Sequence, residues 1–182
     1  DTLMRAINKA SDKNAAVMSE VTFECHAPHG IAIFIETLTD NNMRTVANVR
    51  SIMNKMGGTM DQNGSLSFLF TRKGVFSIAR KPEMDVEELE MTLIDGGLEE
   101  MEVDDEYITL YTAYEDFGNM VKMLEEMKIE CESAELQRIP NTTRTLDPEA
   151  TRKILKIVDM LEEDDDVTNV FHDLEIPDDF EE

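Results

Sequence analysis

The sequence predicts an α+β protein of two α+β domains, in which a ferredoxin-like βαββαβ unit is inserted into a discontinuous ββαβ…αβ domain. Two observations lead there. Between residues 74 and 140 the apolar period changes from two to about 3.6 and back, twice over, in the order strand, helix, strand, strand, helix, strand. The block before it reads strand, strand, helix, strand and lacks a second helix and a last strand, which 148–172 would supply. The expected boundaries are 20–73 with 141–176 for the discontinuous domain and 74–140 for the insert, flanked by a helical end and linker over 1–19 and an acidic tail over 177–182.

Each element has a local reason. Leu3, Ala6 and Ile7 place a short helix over 2–9, followed by the polar connector Ser11 to Asn14. VTFEC (21–25) and IAIFIETL (31–38) flank Ala27-Pro28-His29-Gly30, and the alternation of Ile31, Ile33 and Ile35 makes a hairpin with one buried face. Asp40, Asn41 and Asn42 are turn and N-cap residues, with Val46, Val49, Met53 and Met56 at helical spacing behind them. That helix, Arg44 to Lys55, ends at Gly57-Gly58, and SLSFLF (65–70) alternates as a further strand after Asp61-Gln62-Asn63-Gly64. In the insert, GVFSIAR (74–80), 98–103, YITLYTA (107–113) and 129–139 read as strands. Val86, Leu89 and Leu93 mark one helix, and Phe117, Val121 and Leu124 another. Asp147-Pro148-Glu149 opens a last helix striped by Ala150, Ile154, Val158 and Leu161, before the strand VTNVFH (167–172).

Composition limits the function classes. At 41% hydrophobic content over 182 residues the chain can build real cores, and no run of eighteen apolar residues would cross a membrane. The N-terminus has no signal-peptide pattern, and Cys25 and Cys131 are far apart with no CxxC spacing, so a reducing cytoplasm is expected. The formal net charge of −23 is unevenly spread. Residues 1–80 hold nine Lys and Arg against seven Asp and Glu, whereas 81–182 hold eight against 33. An acidic half repels nucleic acid, so phosphate contact must come from the first half or from outside this chain.

Candidate chemistry is sparse. Cys25, His26 and His29 are metal-type residues around a Pro-containing hairpin with no second ligand pair, and read better as a structural turn. The acidic runs 104–106 and 162–166 follow a strand and a helix end, where such runs are usually solvated. No nucleophile elbow, acid/base pair or phosphate-cradling glycine pattern occurs, so no enzyme and no cofactor is expected. The one constellation with binding chemistry is 39–55. Its polar turn Asp40, Asn41 and Asn42 meets a helix N-terminus, and Arg44, Arg50 and Lys55 provide the cations that phosphate contacts require. His26 and His29 are expected beside it. Arg44 and Arg50 are expected to be surface cations whose removal leaves melting unchanged, whereas loss of Asn42 costs a helix cap.

FECHAPHGIAIFIETLTDNNMRTVANVR, KMGG followed by NGSLSFLF, and IPNTTRTLDPEATRKILKIVDMLEEDDDVTNVFHD together resemble the YebC/PmpR family of transcriptional regulators, which includes a mitochondrial translational activator. The resemblance implies a three-domain cytoplasmic protein whose basic N-terminal helical domain precedes the point where this chain begins, with residues 1–9 as its closing helix. It implies a regulator directed at nucleic acid, through DNA-binding transcriptional control or, as the alternative, as a translation factor on the ribosome contacting ribosomal RNA or tRNA. Most phosphate affinity would then lie in the N-terminal domain. A more distant alternative is a metabolite-binding regulatory module, a common use of ferredoxin-like domains. The chain departs from the family pattern at His26, Ala27 and His29, where Gly-Pro-x-Gly is usual, and at Met43, usually polar.

Overall fold

A computed structural model describes residues 17–180, so the expected helix over 2–9, its connector and the end of the tail lie outside the described residues. The chain divides into two compact units, one formed by residues up to Phe70 together with those from Pro140 onward, the other by Thr71–Ile139.

In the first unit the strands β1 (Ser19–His26) and β2 (Ala32–Thr39) pair antiparallel with Phe23 opposite Ile35 and Cys25 opposite Ile33. Their turn is a single 3₁₀ turn over Pro28–Gly30, with His29 and Gly30 in left-handed conformations (φ 67° and 76°). Helix α1 (Asn42–Lys55) follows β2 and leads to the two-residue strand β3 (Thr59–Met60) on the outer edge of β1. After the insert, α4 (Pro148–Glu162), capped by Asp147 accepting from the Ala150 amide at 2.8 Å, feeds β8 (Val167–His172), which pairs with β2. The sheet order is β3-β1-β2-β8. The core lies on one face of this sheet, where Phe23, Cys25, Ile33 and Ile35 meet Val49 and Met53 of α1 and Ile154, Ile157 and Leu161 of α4. Gly58 is required where α1 turns into β3, because a Cβ there would sit 2.7 Å from the His26 carbonyl oxygen.

The expected strand over 65–70 does not form. Only Phe70 is extended; residues 63–69 make successive turns, with Ser65, Ser67 and Leu69 amides bonded three residues back. The cause is Glu24. Facing away from the helices on β1, its buried carboxylate accepts the Gly64 amide and the Leu66 amide (2.8 Å for Leu66) and winds the segment into a cover for that face. Leu66 and Phe70 pack there against Ala32 and Phe34, the two phenyl rings edge to face at 6.2 Å.

The second unit contains β4 (Phe70–Ala79, shared at its first residue), α2 (Val86–Leu93), β5 (Leu98–Val103), β6 (Tyr107–Ala113), α3 (Phe117–Glu126) and β7 (Ser133–Pro140). Its sheet order β5-β6-β4-β7, antiparallel across β5·β6 and β4·β6, is the ferredoxin-like arrangement. Phe76, Ile78, Ile108 and Leu110 of the sheet face Leu89 and Leu93 of α2 and Met120 and Leu124 of α3. The last strand starts at Ser133, four residues later than the apolar pattern suggests. Lys128 adopts a left-handed conformation (φ 58°), the Ile129 amide returns to the Leu124 carbonyl at 2.9 Å, and 129–132 serve as a helix exit. Among the described residues, no helix is long and apolar enough to cross a membrane.

Replacing Glu24 with Ala should leave the 64 and 66 amides without their acceptor and cost about 2 kcal/mol. Native-state hydrogen exchange should show protection at Leu66 falling ahead of that in β2. Unchanged Leu66 protection would mean that apolar packing alone holds the segment.

Candidate nucleic-acid interface

At the start of α1 the cap is Asn41, not Asn42. Asn41 is extended (φ −144°) and its side-chain oxygen accepts the Arg44 amide at 3.1 Å, while Asn42 is the first helical residue and is exposed. Thr39 Oγ1 accepts the Asn41 amide at 2.9 Å and completes the turn.

Arg44 is not the free cation expected from the sequence. Its Nε and Nη2 donate to the two oxygens of Asp166 at 3.1 and 2.8 Å, and Nη2 also donates to Asp40 at 2.9 Å. The Asp166 carboxylate is 2% exposed and also accepts the Thr45 hydroxyl at 2.8 Å. Hydrogen bonds to Asp166 and then Asp40 raise the guanidinium further above its ordinary range. The reason for the difference is topological. The run 162–166 reads as solvated, but β8 begins at Val167 beside β2, and this pairing carries Asp166 beneath the start of α1, where its carbonyl accepts the Leu38 amide at 2.8 Å.

The hairpin lies at the other end of the helix. The chain leaves it on β2, turns at Asp40, and returns along α1, whose fourteen residues span about 21 Å. The structure therefore separates His26 and His29 from Asp40, Asn41, Asn42 and Arg44, and brings the hairpin to the segment just past Lys55. Pro28 lies 3.6 Å from where a Gly57 Cβ would stand. His26 Nδ1 is held against the Asp61 carboxylate, so it is partly committed; His29 is exposed. Ala27 takes φ −88°, a conformation open to any residue, so the absence of the family's usual glycine leaves the turn intact.

One residue at this end was not singled out as a site in the sequence. Arg144, in the connector NTTRT, is bridged to the first unit through backbone bonds to the Asp173 carbonyl (2.8 Å) and from the Glu175 amide (2.7 Å), and its guanidinium reaches Gly30, 3.0 Å from where a Cβ would stand. It pairs with no carboxylate among the described residues. Only the long-range pairing of 144 with 174 places it there, which local pattern cannot reveal.

The solvent face of α1 joins these ends. Two rows run along it, Met43-Ala47-Arg50-Asn54 and Arg44-Asn48-Ser51-Lys55, all exposed. Alone among the described helices, α1 has no Asp or Glu. Arg50 and Lys55 form no ion pair among the described residues. With Arg144 they leave three cations available to a polyanion, interleaved with amides and a hydroxyl. Burial, with Asp61 and Glu24 adding, pushes the Cys25 thiol up to about 12. Among the described residues no group of three His, Cys, Asp or Glu side chains is arranged to hold a metal ion.

A family model described as "TACO1/YebC second and third domain" matches residues 18–174, and the chain belongs to this family. A "probable transcriptional regulatory protein" of Porphyromonas gingivalis is 47% identical over 174 residues, 96% of this chain and 72% of that protein. A protein of the same name from Parabacteroides distasonis is 46% identical over 182 residues, all of this chain and 75% of its own length. The crystal structure of a conserved hypothetical protein, Aq1575, of Aquifex aeolicus superposes with a TM-score of 0.79 at 31% identity, covering 97% of this chain and 80% of that one.

Arg44→Ala should cost about 2 kcal/mol, because it strips a buried carboxylate of its ion partner; the partly exposed guanidinium keeps this below the cost of breaking a fully buried pair. Arg50→Ala should shift unfolding by less than about 0.5 kcal/mol. Equal denaturation midpoints for the two variants would remove the structural role of Arg44. His172 gives a pH signature. Burial lowers its pKa from 6.5, against the opposing pull of Asp173, so its neutral form is the one folding favours. That contribution is complete above 6.5 and fades as pH falls toward the lower native value. His172→Gln should flatten the loss of stability between pH 6.5 and 5, read from urea midpoints.

Proposed function

We propose that this protein is a non-enzymatic regulator of gene expression that acts in the cytoplasm by contacting nucleic acid, in the manner of the DNA-binding transcriptional regulators its relatives are named for. One observation carries the reading: in a chain of 40 Asp and Glu, one α-helix among the described residues is free of acid, presents Arg50 and Lys55 on its exposed face, and ends beside Arg144 at the hairpin. Phosphate takes the cations, and Asn48 and Asn54 offer amides to sugar or base edges. Three cations are a modest footprint. They place the chain, while the bulk of the affinity comes from the family's first domain, outside the matched 18–174.

A second reading, a translation factor bound to ribosomal RNA or tRNA, draws on the charge balance. A net charge of −23 opposes long-range approach to bare duplex DNA, whereas an RNA–protein assembly offers both phosphate and basic protein surface. Crosslinking in cells, with bound DNA and RNA sequenced side by side, separates the two. In either case the triple variant Arg50→Ala, Lys55→Ala, Arg144→Ala should lose the crosslinks that map to α1 and the 144 connector and lower the log–log salt slope by about 2 to 3. Retention of wild-type crosslinking and slope by this variant would end the assignment to this face.

A further inference from the structure

The second unit is strongly acidic. Thr71–Ile139 carry nineteen Asp and Glu against seven Lys and Arg, and 98–113 carry six acids and no base. In β6 Ile108 and Leu110 enter the core, so Tyr107, Thr109 and Tyr111 stand on the opposite, open face of the sheet. Register places Glu100 of β5 directly opposite Tyr111 and Glu102 opposite Thr109 on that face, and the Tyr111 hydroxyl donates to Glu102 at 3.4 Å. Glu100 and Glu102 are exposed, Tyr107 is 41% exposed and Tyr111 partly so. Burial, then the Glu102 and Glu100 carboxylates, raise the Tyr111 phenol above its ordinary value.

Sheets of this topology take single-stranded RNA by stacking bases on exposed rings flanked by cations. Here the rings are flanked by carboxylates, which reverses the sign of the ligand. Tyr faces attract guanidinium and ammonium groups through their quadrupole, and a neighbouring carboxylate holds the same cation from the side. The unit already makes one such contact, with the Arg72 guanidinium 4.4 Å above the centre of the Tyr114 ring.

We propose that the open face of β5 and β6, centred on Tyr107, Tyr111, Glu100 and Glu102, docks an arginine- and lysine-rich segment of a protein partner. This surface is separate from the cationic face of α1 and does not depend on the nucleic-acid reading.

The test uses the whole chain, a fluorescent nine-residue oligoarginine and NMR of the tyrosine ring protons. Oligoarginine should bind and shift Tyr107 and Tyr111. Glu100→Gln with Glu102→Gln should weaken it about tenfold, whereas the same charge change on α2, Glu87→Gln with Glu90→Gln, should weaken it less than twofold. Tyr107→Ala with Tyr111→Leu should also weaken it at constant charge, and the Arg50, Lys55, Arg144 triple variant should bind the peptide normally. The proposal is overturned if the two Glu pairs act equally, which is general acidic attraction. It is equally overturned if the tyrosine signals stay still, or if oligouridylate or self-association moves them instead.

Discussion

The carboxylate of Asp166 is the constraint on which the first unit depends. It closes a domain whose two halves are separated in sequence by the whole of Thr71–Ile139, and it does so by accepting from Arg44 and Thr45, 122 and 121 residues away. Loop closure over such a length costs little more than over half of it, but the contact that repays it must be specific. An apolar patch would bring β8 near β2 without choosing a register. A buried carboxylate with three donors and a carbonyl bonded to Leu38 selects one. Asp173 repeats the device at the other end of β8, accepting the Ala32 amide at 2.9 Å.

Committing Arg44 to this knot changes which cations of the α1 face lack a carboxylate partner. A guanidinium whose charge already faces the carboxylates of Asp166 and Asp40 gains less from a phosphate than an unpaired cation does. Under the proposed function the contact surface therefore lies toward the C-terminal end of α1, where Lys55, the hairpin and Arg144 converge. Cations near a helix C-terminus also suit the local dipole, so Lys55 stabilises the helix while remaining open to solvent.

The order of elements was legible because period and punctuation agree. Ile31, Ile33 and Ile35 alternate, Pro148 opens α4, and Gly57-Gly58 closes α1. What failed to show did so for one recurring reason: the deciding partner lies far away in sequence. SLSFLF alternates as well as any strand, and only a carboxylate on β1 forty residues earlier makes it wind. Asp166 looks like its neighbours in an acidic run until β8 is paired. The α1 face was visible as an amphipathic helix with cations, but the choice among its cations was not, since Arg44 and Arg50 are equivalent by spacing and differ only in what stands opposite.

The acidity of the chain also bears on the proposed contact by the α1 face. A strongly negative chain gains little from non-specific attraction to phosphate, so under the proposed function the encounters that persist would be those in which Arg50, Lys55 and Arg144 meet phosphate together. On that reading, repulsion by carboxylates lowers the affinity for wrong registers more than for the one in which these three cations meet phosphate together.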